Sequence, residues 1–333
     1  MIKAIVLSVV SSAVLFSNSA RSGDFDNYPA LESVIAELST QGLYNKEQLN
    51  DIFFEVERQQ VTLDLMTRPA EKVALWKDYR ARFLTPRNIN NGVAFWQKYH
   101  EALEVAEQQF GVPQEIIVAI LGVETRYGAN KGRLKVIDSL TTLAFDFPRR
   151  SEYFTQELKN FLMLSKEQGL DPLQVRGSYA GAMGYGQFMP SSWRKLGIDF
   201  DGDNKADLIN NPIDAIGSIG NYFKENGWQD APVIALQANV SDTVNTEILS
   251  RDLTTNSTLG TLKSQGLQLA TALADSTPAS AFSLEGDNGT EYWLGFNNFY
   301  VITTYNRSIM YALAVFQLSQ ALKEAKKADE QST

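Results

Sequence analysis

The stretch Ile116-Ile117-Val118-Ala119-Ile120-Leu121-Gly122-Val123-Glu124-Thr125-Arg126-Tyr127-Gly128 joins an unbroken apolar run to a glutamate and a glycine-closed turn. An apolar run with no polar stripe predicts a helix buried on every side. Gly111 closes the preceding helix, and Pro113 fits the first turn of this one. A glutamate ending such a helix sits at the edge between core and cleft. Burial there disfavours the charged form and raises the carboxyl pKa. A carboxyl kept protonated near neutral pH donates a proton to a leaving group. The same residues also fit a solvated helix end, or an ion pair with Arg126, because structural ion pairs perturb carboxylates too.

Outward from that stretch, spacings of three and four predict helices over Leu31–Leu38, Lys46–Gln59, Ala70–Leu84 and Asn91–Phe110. Ser151–Lys166, Pro212–Asn226 (stopped by Gly227) and Arg307–Lys327 follow the same pattern. Between about 230 and 300, Ser, Thr, Asn and Gly become frequent. There the runs Val233–Val240 and Tyr292–Thr304, rich in β-branched and aromatic residues, predict a small β-rich module. The class is mainly α, with no internal repeat.

The chain has 333 residues, 44% apolar, room for about two domains and a sizeable core. A net charge of −9 argues against nucleic acid as a partner, since binding it needs a basic face. Lys3, the apolar run Ala4–Phe16 and the small residues Ser17, Ser19 and Ala20 predict a cleaved export signal over residues 1–20. That run is too short for a stable membrane anchor. There is no cysteine, hence neither a disulfide nor a lipid-anchoring cysteine at the cleavage site, and a soluble periplasmic location is expected.

A second informative stretch, Gly177–Pro190, places Gly177, Gly181, Gly184 and Gly186 among aromatic and polar residues. It makes a poor helix or strand interior but lets backbone approach a ligand. Tyr179 and Tyr185 suit stacking on sugar rings, and Ser178 and Gln187 suit hydrogen bonds to hydroxyls or an acetamido group. A tight helix crossing built on small residues accounts for it equally well. A third stretch, Asp199–Asn210, sets Asp199, Asp201, Asp203 and Asp207 at calcium-loop positions 1, 3, 5 and 9, with the Lys205 carbonyl at position 7. Asn204 replaces the usual glycine, which asparagine's tolerance of left-handed backbone permits. Asn210 replaces the usual bidentate glutamate, and Asp214 is the candidate for the missing charge. Alternating carboxylates repel one another without a cation, and Ca2+ is the natural occupant of an all-oxygen site. A solvated acidic turn capping the next helix is the other account. No serine or cysteine nucleophile motif accompanies the single histidine, His100.

Together, Gly122–Gly128, Phe147-Pro148-Arg149-Arg150, Gly177–Ser192, Asn221-Tyr222-Phe223 and Phe299–Asn306 through Tyr311 resemble the lytic murein transglycosylase B family. The resemblance covers about residues 75–228 and resumes at Phe299. It implies a lysozyme-like helical core with an additional helical domain and a small β-rich domain. The expected division is 1–20 signal, 21–110 helical domain, 111–229 catalytic core with the calcium loop, 230–298 β-rich domain, and 299–333 returning to the core. It implies cleavage of the β-1,4 bond between N-acetylmuramic acid and N-acetylglucosamine in peptidoglycan, leaving 1,6-anhydromuramoyl ends. Glu124 would act as acid and then base. Ser178, Gln187, Tyr79, Tyr222, Tyr305, Asn306 and Tyr311 would bind the sugars, and Arg149 and Arg150 the substrate's carboxylates. A bound calcium held by Asp199, Asp201, Asp203, Lys205 and Asp214 would be structural. Partners would be glycan strands and other cell-wall enzymes. The competing accounts are a muramidase using water and a second acid, and a non-catalytic calcium-dependent peptidoglycan-binding scaffold.

Overall fold

The computed structural model describes residues 23–67, 74–231, 233–241, 244–270 and 272–332. The expected signal segment over residues 1–20 lies outside them. No helix among the described residues is long and apolar enough to cross a membrane.

Helices α1 (Pro29–Thr40), α2 (Lys46–Phe54), α3 (Gln60–Thr67), α4 (Trp76–Arg80), α5 (Pro86–Lys98) and α6 (His100–Phe110) precede the central helix α7 (Gln114–Thr125). The two-residue strand β1 (Leu134–Lys135), then α8 (Val136–Asp146), α9 (Ser151–Glu167), β2 (Arg176–Gly177), α10 (Pro190–Leu196) and α11 (Pro212–Glu225) follow. After them come β3 (Ala235–Val240), β4 (Ser257–Thr258), α12 (Leu259–Ser264), β5 (Leu267–Gln268), β6 (Pro278–Gly286) and β7 (Gly289–Gly295). The chain closes with α13 (Asn297–Tyr305) and α14 (Ile309–Ser332).

As its composition requires, α7 is buried from Ile116 through Gly122 and packs against α5, α6, α11 and α14. It ends in left-handed backbone at Arg126 and Tyr127. This turn folds the Tyr127 ring back between α5 and α7, over Gly92 and Gly122. A Cβ on Gly122 would lie 2.6 Å from the Tyr127 hydroxyl, so only glycine admits the ring.

Some elements differ from the pattern. The helix expected over 46–59 stops at Phe54. The chain then runs extended so that the amides of Glu57, Arg58 and Gln59 reach Asp138, Asp24 and Thr142. The stretch 91–110 is two helices broken at Tyr99, where φ is −114° and ψ is 27°. Within 74–84, only Trp76–Arg80 is α-helical. The β-branched run 292–304 changes type midway: it completes β7, turns at Phe296 and becomes α13.

The sheet is antiparallel throughout, in the order β4-β6-β7-β3-β5. Its two faces alternate as the pleat dictates. Phe282 pairs with Trp293 and faces the helical body, whereas the next pair, Ala281 and Leu294, faces a second buried cluster with Leu259, Leu262 and Leu267. Glu291 ties this module to α4. Its carboxylate accepts from the Trp76 and Trp293 indoles, both at 3.1 Å, and pairs with Arg80, which also pairs with Asp287.

Candidate active site

Glu124 is the penultimate residue of α7 and is half-buried. The turn after it is pinned through Thr125. The Thr125 hydroxyl donates to the Tyr185 carbonyl at 2.9 Å and accepts from the Gly128 amide at 2.9 Å, so the helix end and the glycine-rich stretch move as one piece. The structure gives Glu124 a partner 187 residues away: the Tyr311 hydroxyl donates to Oε1 at 2.5 Å. Arg126 is exposed beyond the turn. Tyr311 is buried near the start of α14, and burial, then the charge of Glu124, hold its phenol well above the ordinary value of 10. Tyr305 at the end of α13 is raised by the same two causes, and its hydroxyl donates to the Gly186 carbonyl at 2.5 Å. Both phenols therefore stay protonated across the working range of a carboxyl. Tyr311 is a permanent donor to Glu124.

Tyr305 also borders a cleft of about 490 Å³ whose walls include Arg150, Tyr153, Gln187, Phe188, Ser192, Tyr222, Asn306 and Arg307. Gln187 adopts left-handed backbone, with φ at 51°. Its amide nitrogen donates to the Lys131 and Gly184 carbonyls at 3.2 and 3.0 Å. Tyr222 meets Tyr305 edge to face at 4.8 Å and donates its hydroxyl to the Thr304 carbonyl. Arg150 stacks over Tyr153 at 4.3 Å, which leaves a planar cation on the rim. Tyr79 is buried, stacked on Trp76 and edge-on to Phe83, and close enough to raise the Tyr311 phenol slightly.

Four of the expected binding residues, Tyr79, Tyr311, Ser178 and Arg149, do not line this cleft, and neither does Glu124. Ser178 does not line the cleft: its oxygen accepts from the Ala180 and Ala182 amides at 3.3 and 3.0 Å and shapes the root of the glycine-rich loop. Arg149 is exposed and also does not line the cleft, so of the adjacent arginines only Arg150 does. Sequence reasoning missed Tyr153, Ser192 and Arg307. Ser192 and Arg307 carried a signal, the first as the end of the Gly177–Ser192 motif and the second as the residue directly after Tyr305-Asn306.

The acidic loop lies directly beneath the glycine-rich one. Gly184, with φ at 73°, packs on the Leu208 carbonyl, which also accepts from the Tyr185 amide at 2.9 Å. Lys131 reaches the Ile209 carbonyl at 2.7 Å, and the Trp193 indole reaches that of Ala206 at 3.1 Å. One oxygen from each of Asp199, Asp201 and Asp203 lies within 4.8 Å of the others. Asn204 is left-handed, with φ at 71°, as its place in the loop requires. Three converging carboxylates on such a turn fit a hard, oxygen-bound cation. Asp214 stands outside this trio. It is fully buried beneath the loop, where its two oxygens accept from the Phe200 and Asp207 amides at 2.8 Å each. Burial pushes its pKa up. The Lys205 carbonyl, expected as a ligand, accepts from the Asp207 amide at 3.1 Å.

The model of the transglycosylase SLT domain family matches residues 26–320. Membrane-bound lytic murein transglycosylase B of Escherichia coli (strain K12) is 41% identical over 313 residues, spanning 91% of this chain and 85% of that protein. The crystal structure of soluble lytic transglycosylase SltB1 from Pseudomonas aeruginosa superimposes with a TM-score of 0.85 at 44% identity, over 90% of this chain and 100% of that one. The Escherichia coli lytic transglycosylase Slt35, solved in complex with calcium, gives 0.85 at 42% identity, over 92% and 96%. The mainly helical, lysozyme-like architecture is shared with these enzymes.

Proposed function

Because this chain belongs to the transglycosylase SLT domain family, we propose that it cleaves the β-1,4 bond between N-acetylmuramic acid and N-acetylglucosamine in peptidoglycan without water, using Glu124 alone. Protonated Glu124 gives its proton to the glycosidic oxygen. The bond from that oxygen to C1 breaks, and N-acetylglucosamine leaves with a 4-hydroxyl. The resulting carboxylate takes the proton of the muramoyl 6-hydroxyl, whose oxygen closes on C1 to give the 1,6-anhydro end. Glu124 is thereby reprotonated, and the balance needs no co-reactant. Tyr311 supports this cycle as a donor whose hydrogen bond strengthens when Glu124 becomes charged. Tyr79, Tyr222, Tyr305, Gln187, Asn306 and Arg150 hold the sugars and their carboxylates.

The observation that supports the one-carboxylate reading is the bond of Glu124 Oε1 to the buried Tyr311 hydroxyl; the cleft bordered by Tyr305, whose lining does not include Glu124 itself, adds no second aspartate or glutamate among the described residues. A hydrolase of the two-acid type needs a second carboxylate across the scissile bond. The test is Glu124→Gln. This variant should bind glycan strands with unchanged affinity and release no muropeptides. Release at the wild-type rate would end the proposal.

We assign residues 21–110 and 230–298 as flanking domains around a core made of 111–229 and 299–333; the separate buried cluster of the sheet supports this division. Asp199, Asp201 and Asp203 would hold a structural calcium, whose part is to fix the loop on which Gly184 and Tyr185 rest. A peptidoglycan substrate and the expected cleaved signal over residues 1–20 both support a periplasmic location.

A further inference from the structure

A second cavity, of about 470 Å³, opens on the far side of the 305–310 segment. Its size falls in the range of small-ligand sites, about 300–1,000 Å³. Arg307 lines both this cavity and the sugar cleft, so the two adjoin at that side chain. Arg251 is the second guanidinium on its walls. Neither arginine has an ion-pair partner among the described residues, in a chain whose net charge is −9. Unpaired guanidiniums facing a concave surface suit carboxylates, which they bind through paired N–H groups. Leu75, Phe282 and Met310 give the remaining wall an apolar character that suits alkyl side chains better than sugar hydroxyls. Among the described residues of the lining Glu285 is the only acid, and it offers a counterpart to an amino group. The bonds of Glu291 and Arg80 join α4, which gives Trp76 to the lining, to the β6–β7 hairpin, whose β6 gives Phe282 through Glu285.

We propose that this cavity is a stem-peptide subsite. It receives the short, carboxylate-rich peptide that the muramoyl residue carries, with Arg251 and Arg307 as counter-ions. The assignment rests on the transglycosylase reading, and it makes recognition of the peptide a task for the β-rich module rather than for Arg149 and Arg150 alone.

Arg251 lies outside the sugar cleft and is exposed, so Arg251→Glu isolates the second cavity. Two substrates are compared with the mature protein: peptidoglycan strands bearing peptides, and strands stripped of them by an amidase. The variant should show a KM raised about tenfold on peptide-bearing strands, equivalent to about 1.4 kcal/mol. Its kcat should hold, and its kinetics on stripped strands should match the wild type. An equal effect on both substrates, or on neither, overturns the proposal. Calorimetry with a synthetic tetrapeptide bearing free carboxylates gives a readout independent of turnover. Binding to the wild type that weakens at least fivefold in the variant supports the subsite, and absence of binding refutes it. A wild type that binds this peptide through Arg251 yet releases nothing from either substrate would refute the enzyme reading while sparing the cavity.

Discussion

Tyr311→Phe deletes one oxygen and leaves a ring of nearly the same size in a fully packed site. The deleted hydroxyl is the donor 2.5 Å from Glu124 Oε1. Burial keeps it protonated, so it is present as a donor throughout the catalytic cycle. A hydrogen bond to a charged partner contributes about 1.5–3 kcal/mol. On the proposed mechanism Glu124 gains charge as its proton leaves, so most of that contribution would appear only in the transition state. At 1.36 kcal/mol per factor of ten, kcat should fall about 10- to 150-fold, with KM changed less than about twofold. The assay is initial-rate release of soluble muropeptides, with chemical denaturation as a check on the fold. Tyr44→Phe is the matched control: its buried hydroxyl donates to the Leu162 carbonyl, remote from the cleft, and its loss should weaken the fold without slowing turnover. A Tyr311→Phe enzyme within twofold of the wild-type kcat would refute the argument that this hydroxyl supports the charged carboxyl.

Tyr127 buries a hydroxyl that finds no hydrogen-bond partner among the described residues, so Tyr127→Phe should raise stability by about 1 kcal/mol in urea denaturation; a loss of stability would show that the hydroxyl is bonded in solution. Burial pushes Tyr44 and Tyr300 up to about 12, so between pH 10 and 12 the unfolded chain sheds protons that the folded one keeps. Stability should therefore be flat below pH 10 and fall above it, by about 1.4 kcal/mol per pH unit for each such residue, and phenolate absorbance should rise with unfolding; full titration of every tyrosine while the fold persists would contradict this. Chelation should lower the melting temperature, with about 2.7 kcal/mol at stake for a calcium level of 100 times Kd, and added Ca2+ should restore it. No shift in a demetallated sample would remove calcium from the account.

What the sequence disclosed tracks how local the cause is. Helix α7 and its terminal glutamate were legible because an all-apolar run followed by a glycine-closed turn has few other solutions. The left-handed Asn204 was legible for the same reason. Helix α13 was not: it is buried from Asn298 through Thr303, so it carries no polar face to reveal a helical period. Its β-branched residues then read as strand, a preference that packing overrides. The break at Tyr99 was hidden because apolar spacing continues across it, and only the packing of its ring on Phe95 at 4.6 Å marks the site. In the candidate site, Glu124 was singled out only together with the family resemblance, and its Tyr311 partner depends on how α14 crosses α7. At Ser178 and Asp214 the structure adds what the sequence does not show: nearby backbone amides bond to their oxygens, as they also do to Asp199, Asp201 and Asp203. Short polar side chains in tight turns satisfy nearby amides first.

The central claim is that one carboxyl serves as both acid and base, and the chemical form of the product tests it most directly. Purified peptidoglycan should be digested with the mature protein and the soluble fragments weighed by mass spectrometry. The account predicts 1,6-anhydromuramoyl ends, one water lighter than reducing muropeptides. Reducing ends would contradict it, since water would then have attacked C1 and a second acid would have to serve the cleft.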